Sequence, residues 1–175
     1  MRQFDVFIAG AQKSGTSSLS YYLEQHPSIK CHKPREISYF VRDRAYEKDF
    51  PSVFQEYYQD GVGQDQLVLA KSVDLAYIEK AAQRLKEHSP DCKIVMALRD
   101  PIDRAYSAYW HMRREGWETK KTFEKALSVE EKRKKKRRGG YCNSLQLSGQ
   151  RALLQADHTP RGVVRGGKRS YSAVP

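Results

Sequence analysis

The sequence predicts a three-layer α/β fold with a mainly parallel central sheet flanked by helices, and three observations predict it. Short apolar runs at residues 4–9, 67–71 and 93–98 have the length and composition of interior strands. Residues 77–88 and 102–114 carry apolar side chains at helical spacing. Two of the strands run through a turn straight into a helix, the connection that parallel strands require because no tight hairpin can join them.

Along the chain, Phe4-Asp5-Val6-Phe7-Ile8-Ala9 makes the first strand, Gly10 and Gly15 bound the next turn, and residues 16–25 form a helix. His26-Pro27 closes it, because the residue before proline is pushed out of the helical region. A polar loop is expected after it. The runs at 67–71 and 93–98 are expected inside the sheet, separated by a helix over 77–88 whose Ile78, Ala81, Ala82 and Leu85 share one face. After Arg99, Asp100 is placed to cap a helix over 102–114, with Pro101 tolerated in its first turn. Phe123, Ala126 and Leu127 predict one more amphipathic helix, ending before a basic run. Beyond Tyr141 the pattern fails: residues 148–175 scatter Gly, Arg, Ser and Pro and are expected to be loosely ordered.

At 175 residues the chain suits one domain with its own core. Its net charge of +11 is uneven, since 12 basic and 3 acidic residues fall from Glu130 onward, leaving +2 for the rest. The run from Lys132 to Arg138 reads as a solvated helix end or tail; gripping a polyanion is the alternative, and no specific nucleic-acid contact is expected. Cys31, Cys92 and Cys142 have neither zinc-site nor disulfide-framework spacing. The first strand begins too soon after Met1 for a leader, and no run approaches the roughly 20 apolar residues of a membrane span. A soluble, reducing, cytoplasmic setting is the expectation.

The loop from Gly10 to Ser18 is built to hold phosphate. Backbone N–H groups in a glycine-rich turn, followed by a helix N-terminus, offer unpaired donors and a favourable dipole to an anion. Together with the alternating elements, this makes the expected fold P-loop NTPase-like. The Gly-Lys-Ser/Thr ending of nucleoside-triphosphatase loops is missing, however: Gly15 is followed by Thr16, and the lysine comes earlier, at Lys13.

Gln12-Lys13-Ser14-Gly15-Thr16-Ser17-Ser18-Leu19 resembles the 5′-phosphosulfate loop of the sulfotransferase family. The stretch from Leu98 to Tyr109, Leu-Arg-Asp-Pro-Ile-Asp-Arg-Ala-Tyr-Ser-Ala-Tyr, resembles that family's 3′-phosphate motif, in which Arg99 and Ser107 would hold the phosphate. The chemistry agrees. Arg99 presents a bidentate fork, and Ser107 follows two helical turns later on about the same face. Pairing of Arg99 with Asp100 or Asp103 is the alternative, and Arg104 reads as structural. Pro34-Arg35-Glu36-Ile37-Ser38-Tyr39-Phe40 is similar to an acidic-aromatic segment of the glycan-directed branch, whose glutamate serves as catalytic base. The apolar Ile37, Tyr39 and Phe40 would make Glu36 a better proton acceptor; an ion pair with Lys33 or Arg35 is the other reading. His32 is a weaker rival base. Lys71-Ser72 resembles the family's Glu-Lys-Ser/Thr-Pro segment, with Ala70 and Val73 departing from it, so Lys71 is either catalytic or a surface lysine.

The resemblance implies 3′-phosphoadenylyl sulfate as donor, 3′,5′-diphosphoadenosine as product and no metal. Lys13 and the amides of Ser14 to Ser17 would hold the 5′-phosphosulfate, within a donor site formed by Gln12, Lys13, Ser14, Gly15, Thr16, Ser17, Ser18, Arg99 and Ser107. Glu36 would take the acceptor proton and Lys71 would assist. A carbohydrate acceptor is favoured, while Tyr21, Tyr39, Tyr57 and Tyr58 would either line a pocket for a small aromatic or fill the core. A P-loop kinase and a non-catalytic polyanion-binding module are the rival functions. Family members continue past a Gly-x-Tyr-like element, approximated by Gly139-Gly140-Tyr141, into a helix, a buried strand and a loop completing the nucleotide site; Cys142 onward does not resemble this, as in a truncated or frame-shifted coding sequence. The expected division is 1–141 as donor-binding domain, incomplete at its C-terminal side, and 142–175 as a basic tail.

Overall fold

The computed structural model describes residues 2–136. Four parallel strands form its sheet: β1 (Val6–Gly10), β2 (Ile29–Cys31), β3 (Leu67–Lys71) and β4 (Lys93–Met96), in the order β2-β3-β1-β4. The helices are α1 (Thr16–Glu24), α2 (Asp43–Tyr46), α3 (Phe50–Tyr57), α4 (Glu79–His88), α5 (Pro101–Arg114) and α6 (Phe123–Lys136), with a 3-10 turn at Val73–Tyr77.

Alternation along the central strands makes the layers. Phe7 and Ala9 of β1, with Val68 and Ala70 of β3, face one way, onto Phe50 and Val53 of α3 and Ala81 and Leu85 of α4. Ile8 and Leu69 face the other way, onto Leu19 and Leu23 of α1. The first face is aromatic. Phe4 meets Phe7, Phe40 and Phe50 edge to face, with centroids 5.9, 5.7 and 5.8 Å apart, the geometry that ring quadrupoles favour. Tyr39 and Tyr58 fill this core, while Tyr21 stays exposed on α1.

Several expectations need correction. The first strand starts at Val6 and takes in Gly10. The loop after Pro27 contains β2, which forms because Ile29, Lys30 and Cys31 pair with Leu67, Val68 and Leu69, a force no local pattern displays. It also contains α2 and α3, the latter capped by Asp49, which accepts from Ser52 N at 3.1 Å. The helix expected over 77–88 is present as α4 but starts at Glu79, behind a 3-10 turn that ends at Tyr77. β4 ends at Met96 and, among the described residues, pairs only with β1, so it lies at an edge with Ile94 47% exposed. Finally, α6 continues through the basic run to Lys136; Arg137 and Arg138 lie outside the described residues, as do Gly139-Gly140-Tyr141 and Cys142.

The topology selects the place for a ligand. From β1 the chain builds β2 and β3 on one side and β4 on the other, so the order reverses between β1 and β4, where open α/β sheets bind their ligands at the strands' carboxyl ends. The backbone joins these ends: Ala11 N donates to the Ala97 carbonyl and Ala97 N to that of Gly10, both at 2.8 Å.

Candidate functional site

The loop after β1 is shaped by positive φ angles. Gly10 has φ +136°, and a Cβ there would lie 3.3 Å from that of Ala76, so glycine lets the strand end pass the 3-10 turn. Lys13 has φ +65°, a left-handed conformation that a side-chain-bearing residue keeps only where its surroundings impose it. Gly15, at φ +86°, caps the start of α1 without any side-chain cap, and open space surrounds the position a Cβ would take. The first amides of α1 are thus open to an anion from outside the chain. Ser14 Oγ is buried there with no hydrogen-bond partner, an acceptor-seeking hydroxyl of the kind a phosphate oxygen satisfies. Ser14 N, expected in the cradle, instead donates to the Ala11 carbonyl at 3.2 Å, which leaves the amides of Gly15, Thr16 and Ser17 for that work. Gln12 is half-buried, Thr16 buried, and Ser17 and Ser18 exposed.

Lys13 stands among cations. Burial holds its pKa below the usual lysine value, and Arg114, Arg35 and Arg99 push the same way. Arg99 follows β4 and reaches the Lys13 carbonyl with Nη1 at 3.4 Å, so the two expected anion grips are neighbours. Both line one cleft of about 550 Å³, together with Ser107 of α5. Asp100 does not pair with Arg99; its Oδ1 accepts from Ile102 N at 2.9 Å and Asp103 N at 3.1 Å, capping α5. Arg104 is fully buried on the inner face of α5, as its structural reading implies.

Beside the cradle, Lys71 and Glu36 form an ion pair. Lys71 Nζ donates to Glu36 Oε1 at 3.0 Å and to Ser17 Oγ at 3.3 Å, and Glu36 Oε2 accepts from Val73 N at 2.9 Å. One network thus links the expected base to the first turn of α1. The segment is held there because Ile37 N donates to the Lys71 carbonyl at 2.8 Å. Two readings fail. Lys71 is 4% exposed and so is no surface lysine. Ile37, Tyr39 and Phe40 turn into the core and away from any role at Glu36, whose carboxylate is stabilised by a cation and an amide instead. Lys33 pairs with Asp60 at 2.8 Å and leaves Glu36 to Lys71. His32 is buried, with its pKa driven down to about 4 chiefly by that burial; it does not line the cleft.

Sequence reasoning missed five cleft residues, Asp103, Tyr106, Trp110, His111 and Arg114. For Asp103, Trp110, His111 and Arg114 the signal was available in the spacing, because steps of three and four from Ser107 stay on one helical face, whereas Tyr106 is adjacent to Ser107 in sequence. His111 is held below the ordinary histidine value by burial, then by Lys13. Among the described residues no cluster of three His, Cys, Asp or Glu side chains is arranged for a metal ion, and no helix is long and apolar enough to cross a membrane.

Residues 3–147 match the family model described as sulfotransferase domain. A sulfotransferase from Alicyclobacillus acidocaldarius, solved by crystallography, superposes with a TM-score of 0.70 at 32% identity, covering 85% of this chain and 64% of that one. The membrane-associated sulfotransferase kil1 of Dictyostelium discoideum is 31% identical over 104 residues, which cover 58% of this chain and 21% of that protein. Human bifunctional heparan sulfate N-deacetylase/N-sulfotransferase 3 is 33% identical over 116 residues, 61% of this chain and 13% of that protein. The chain therefore corresponds to about a fifth or less of the length of these two relatives.

Proposed function

Because the chain belongs to the sulfotransferase domain family, we propose that it moves a sulfuryl group from 3′-phosphoadenylyl sulfate to a hydroxyl or amine acceptor, with a carbohydrate as that acceptor. One observation carries the reading: Lys13 and Arg99, from the tips of adjacent strands, line a single cleft with Ser107. A nucleotide phosphorylated at both its 5′ and 3′ ends is the ligand such a pair of grips would pin. The cleft's volume suits it, and the uncapped α1 and the unpartnered Ser14 hydroxyl supply donors for the 5′ end. The donor-binding domain in this reading is 1–141, with 142–175 as an appended tail. A carbohydrate is favoured by the similarity of the Glu36 segment to glycan-directed members and by the heparan-sulfate relative.

In this mechanism the acceptor oxygen or nitrogen attacks sulfur in line with the departing phosphate oxygen. The sulfur–oxygen bond to the nucleotide breaks, and 3′,5′-diphosphoadenosine leaves with the electron pair. The protein's task is alignment and charge stabilisation. Lys13 and the amides of Gly15, Thr16 and Ser17 hold the 5′-phosphosulfate, while Arg99 and Ser107 anchor the 3′-phosphate. Glu36 takes the acceptor's proton. On doing so it loses the charge that holds Lys71, and the ammonium, already bonded to Ser17 at the cradle, becomes free to stabilise the sulfuryl oxygens. Lys13→Ala is expected to abolish turnover in a purified, folded variant; undiminished activity would refute the assignment.

A further inference from the structure

Beyond its first turn, the outer face of α1 has no part in the mechanism above. The inner face is fixed, since Leu19 and Leu23 pack with Ile8 and Leu69 of the sheet, and the helical repeat then sets which residues point outward. Ser17 and Ser18 come first and are exposed. One turn later, four residues on from each, come Tyr21 and Tyr22, 63% and 68% exposed. Their ring centroids lie 5.9 Å apart with the planes at 62°, an edge-to-face contact in which each ring steadies the other. Side chains on a helix lean toward its N-terminus, so this aromatic ledge leans toward the cradle. The ledge also begins at the reacting centre, because Ser17 Oγ accepts from Lys71, which holds Glu36.

We propose that Tyr21 is the stacking residue for the sugar next to the one that accepts the sulfuryl group, and that this neighbour is an uncharged sugar. The inference rests on the carbohydrate reading of the acceptor. An accepting ring held at Glu36 and Lys71 lies beside Ser17, and one helical turn, about 5.4 Å, is close to the length that one pyranose adds to a glycan. The next ring therefore comes over Tyr21. A tyrosine suits it: the ring face packs on the C–H face of the sugar, the phenol hydroxyl meets sugar hydroxyls at the edge, and two χ angles cost little to order. Tyr22 follows Ser18, on the row beside the one that meets Lys71, and braces Tyr21. Charge then selects among sugars. Glu24 is the one charged residue of α1 and stands exposed three residues beyond Tyr21. Lys33, close enough for Glu24 to act on it, is already paired with Asp60 at 2.8 Å. A neighbouring sugar that carried a carboxylate would meet a like charge there with no cation on the helix to offset it.

Three acceptors test this with 3′-phosphoadenylyl sulfate as donor: methyl glucosaminide alone, and the same sugar bearing glucose or glucuronic acid on O4. The KM for the glucose-bearing acceptor is expected to lie about threefold to tenfold below that of the monosaccharide, the worth of one aromatic contact, with a smaller gain or none from glucuronic acid. Tyr21→Ala should erase the glucose gain while 3′,5′-diphosphoadenosine affinity is retained, and Tyr21→Phe should keep it to within about twofold because the ring face remains. Equal KM values for the glucose-bearing acceptor in the parent and in Tyr21→Ala would overturn the proposal, and a change of oligomeric state in place of the KM effect would give the ledge to a second copy. A lower KM for the glucuronic acid acceptor than for the glucose one would overturn the charge selection. A Tyr21→Ala loss shared with diphosphoadenosine affinity would mark damage to the cradle or the fold, contradicting a sugar-specific role. Transfer to none of the three sugars by a protein that still binds diphosphoadenosine would bring down the carbohydrate reading, and this inference with it.

Discussion

Glu36 and Lys71 are buried unequally, and this predicts opposite outcomes for the two obvious substitutions. The lysine side chain is 5% exposed and the glutamate side chain 33%. Glu36→Gln removes the negative charge and leaves a buried ammonium facing an amide oxygen and the Ser17 hydroxyl. Stranding one member of a fully buried pair costs about 3–5 kcal/mol. Here the carboxylate is a third open to water and glutamine retains an acceptor, so the loss falls nearer that of one charged hydrogen bond, about 1.5–2 kcal/mol, or a Tm lower by about 7 °C. Lys71→Met removes the desolvated charge itself and leaves a carboxylate that keeps the Val73 amide and some water, so stability is expected to be unchanged or to rise. Both variants should lose turnover, Glu36→Gln by about 10²–10⁴-fold in kcat with diphosphoadenosine affinity retained. Thermal melts by circular dichroism, with kcat and ligand affinity on the same preparations, test this. Equal drops in Tm for the two variants, or a Glu36→Gln loss shared equally between kcat and nucleotide affinity, would refute the reasoning.

Stability should fall with mild acid. Burial lowers the pKa of His32 to about 4, and Lys71 adds to the effect; the Pro34 carbonyl opposes it but makes no hydrogen bond of normal geometry. His88, enclosed by Phe4, Phe40 and Phe50, is lowered in the same direction by burial. Above pH 6.5 this contribution is fully present. Below it the unfolded chain binds protons that the folded rings refuse, so His32 alone removes about 2 kcal/mol by pH 5; urea midpoints that do not move between pH 7 and 5 would contradict this. Asp100→Ala removes the acceptor for two amides at the start of α5 and should cost about 1 kcal/mol. It should also weaken diphosphoadenosine more than 5′-AMP, because Arg99 adjoins the loosened turn; equal weakening would disconnect cap from grip.

The parts of the fold that were legible in the sequence are those with local causes. Leu67–Lys71 is a continuous apolar run and forms β3 with the expected limits, and Asp100 before proline caps α5 as its chemistry dictates. β2 was hidden because three residues carry no periodicity and become a strand only through pairing with β3. α3 was missed although Asp49 and Pro51 are ordinary start signals. β4 is apolar enough for an interior position, yet composition does not say which neighbours a strand acquires. At the site, the loop and the Arg99–Ser107 spacing were legible because both act through backbone geometry close in sequence. Burial of Lys71 was not, since its partner lies 35 residues away and reaches it only through the fold. The packing of Tyr106 against Phe123 likewise depends on α6, which the spacing on α5 does not foretell.

Calorimetric titration with 3′,5′-diphosphoadenosine against 5′-AMP tests the double anion grip most directly. The account predicts that the doubly phosphorylated nucleotide binds at least about tenfold more tightly, the worth of one charge-assisted contact to its 3′-phosphate, and that Arg99→Ala removes the difference. Equal affinity for the two nucleotides in a folded, monodisperse preparation would contradict it.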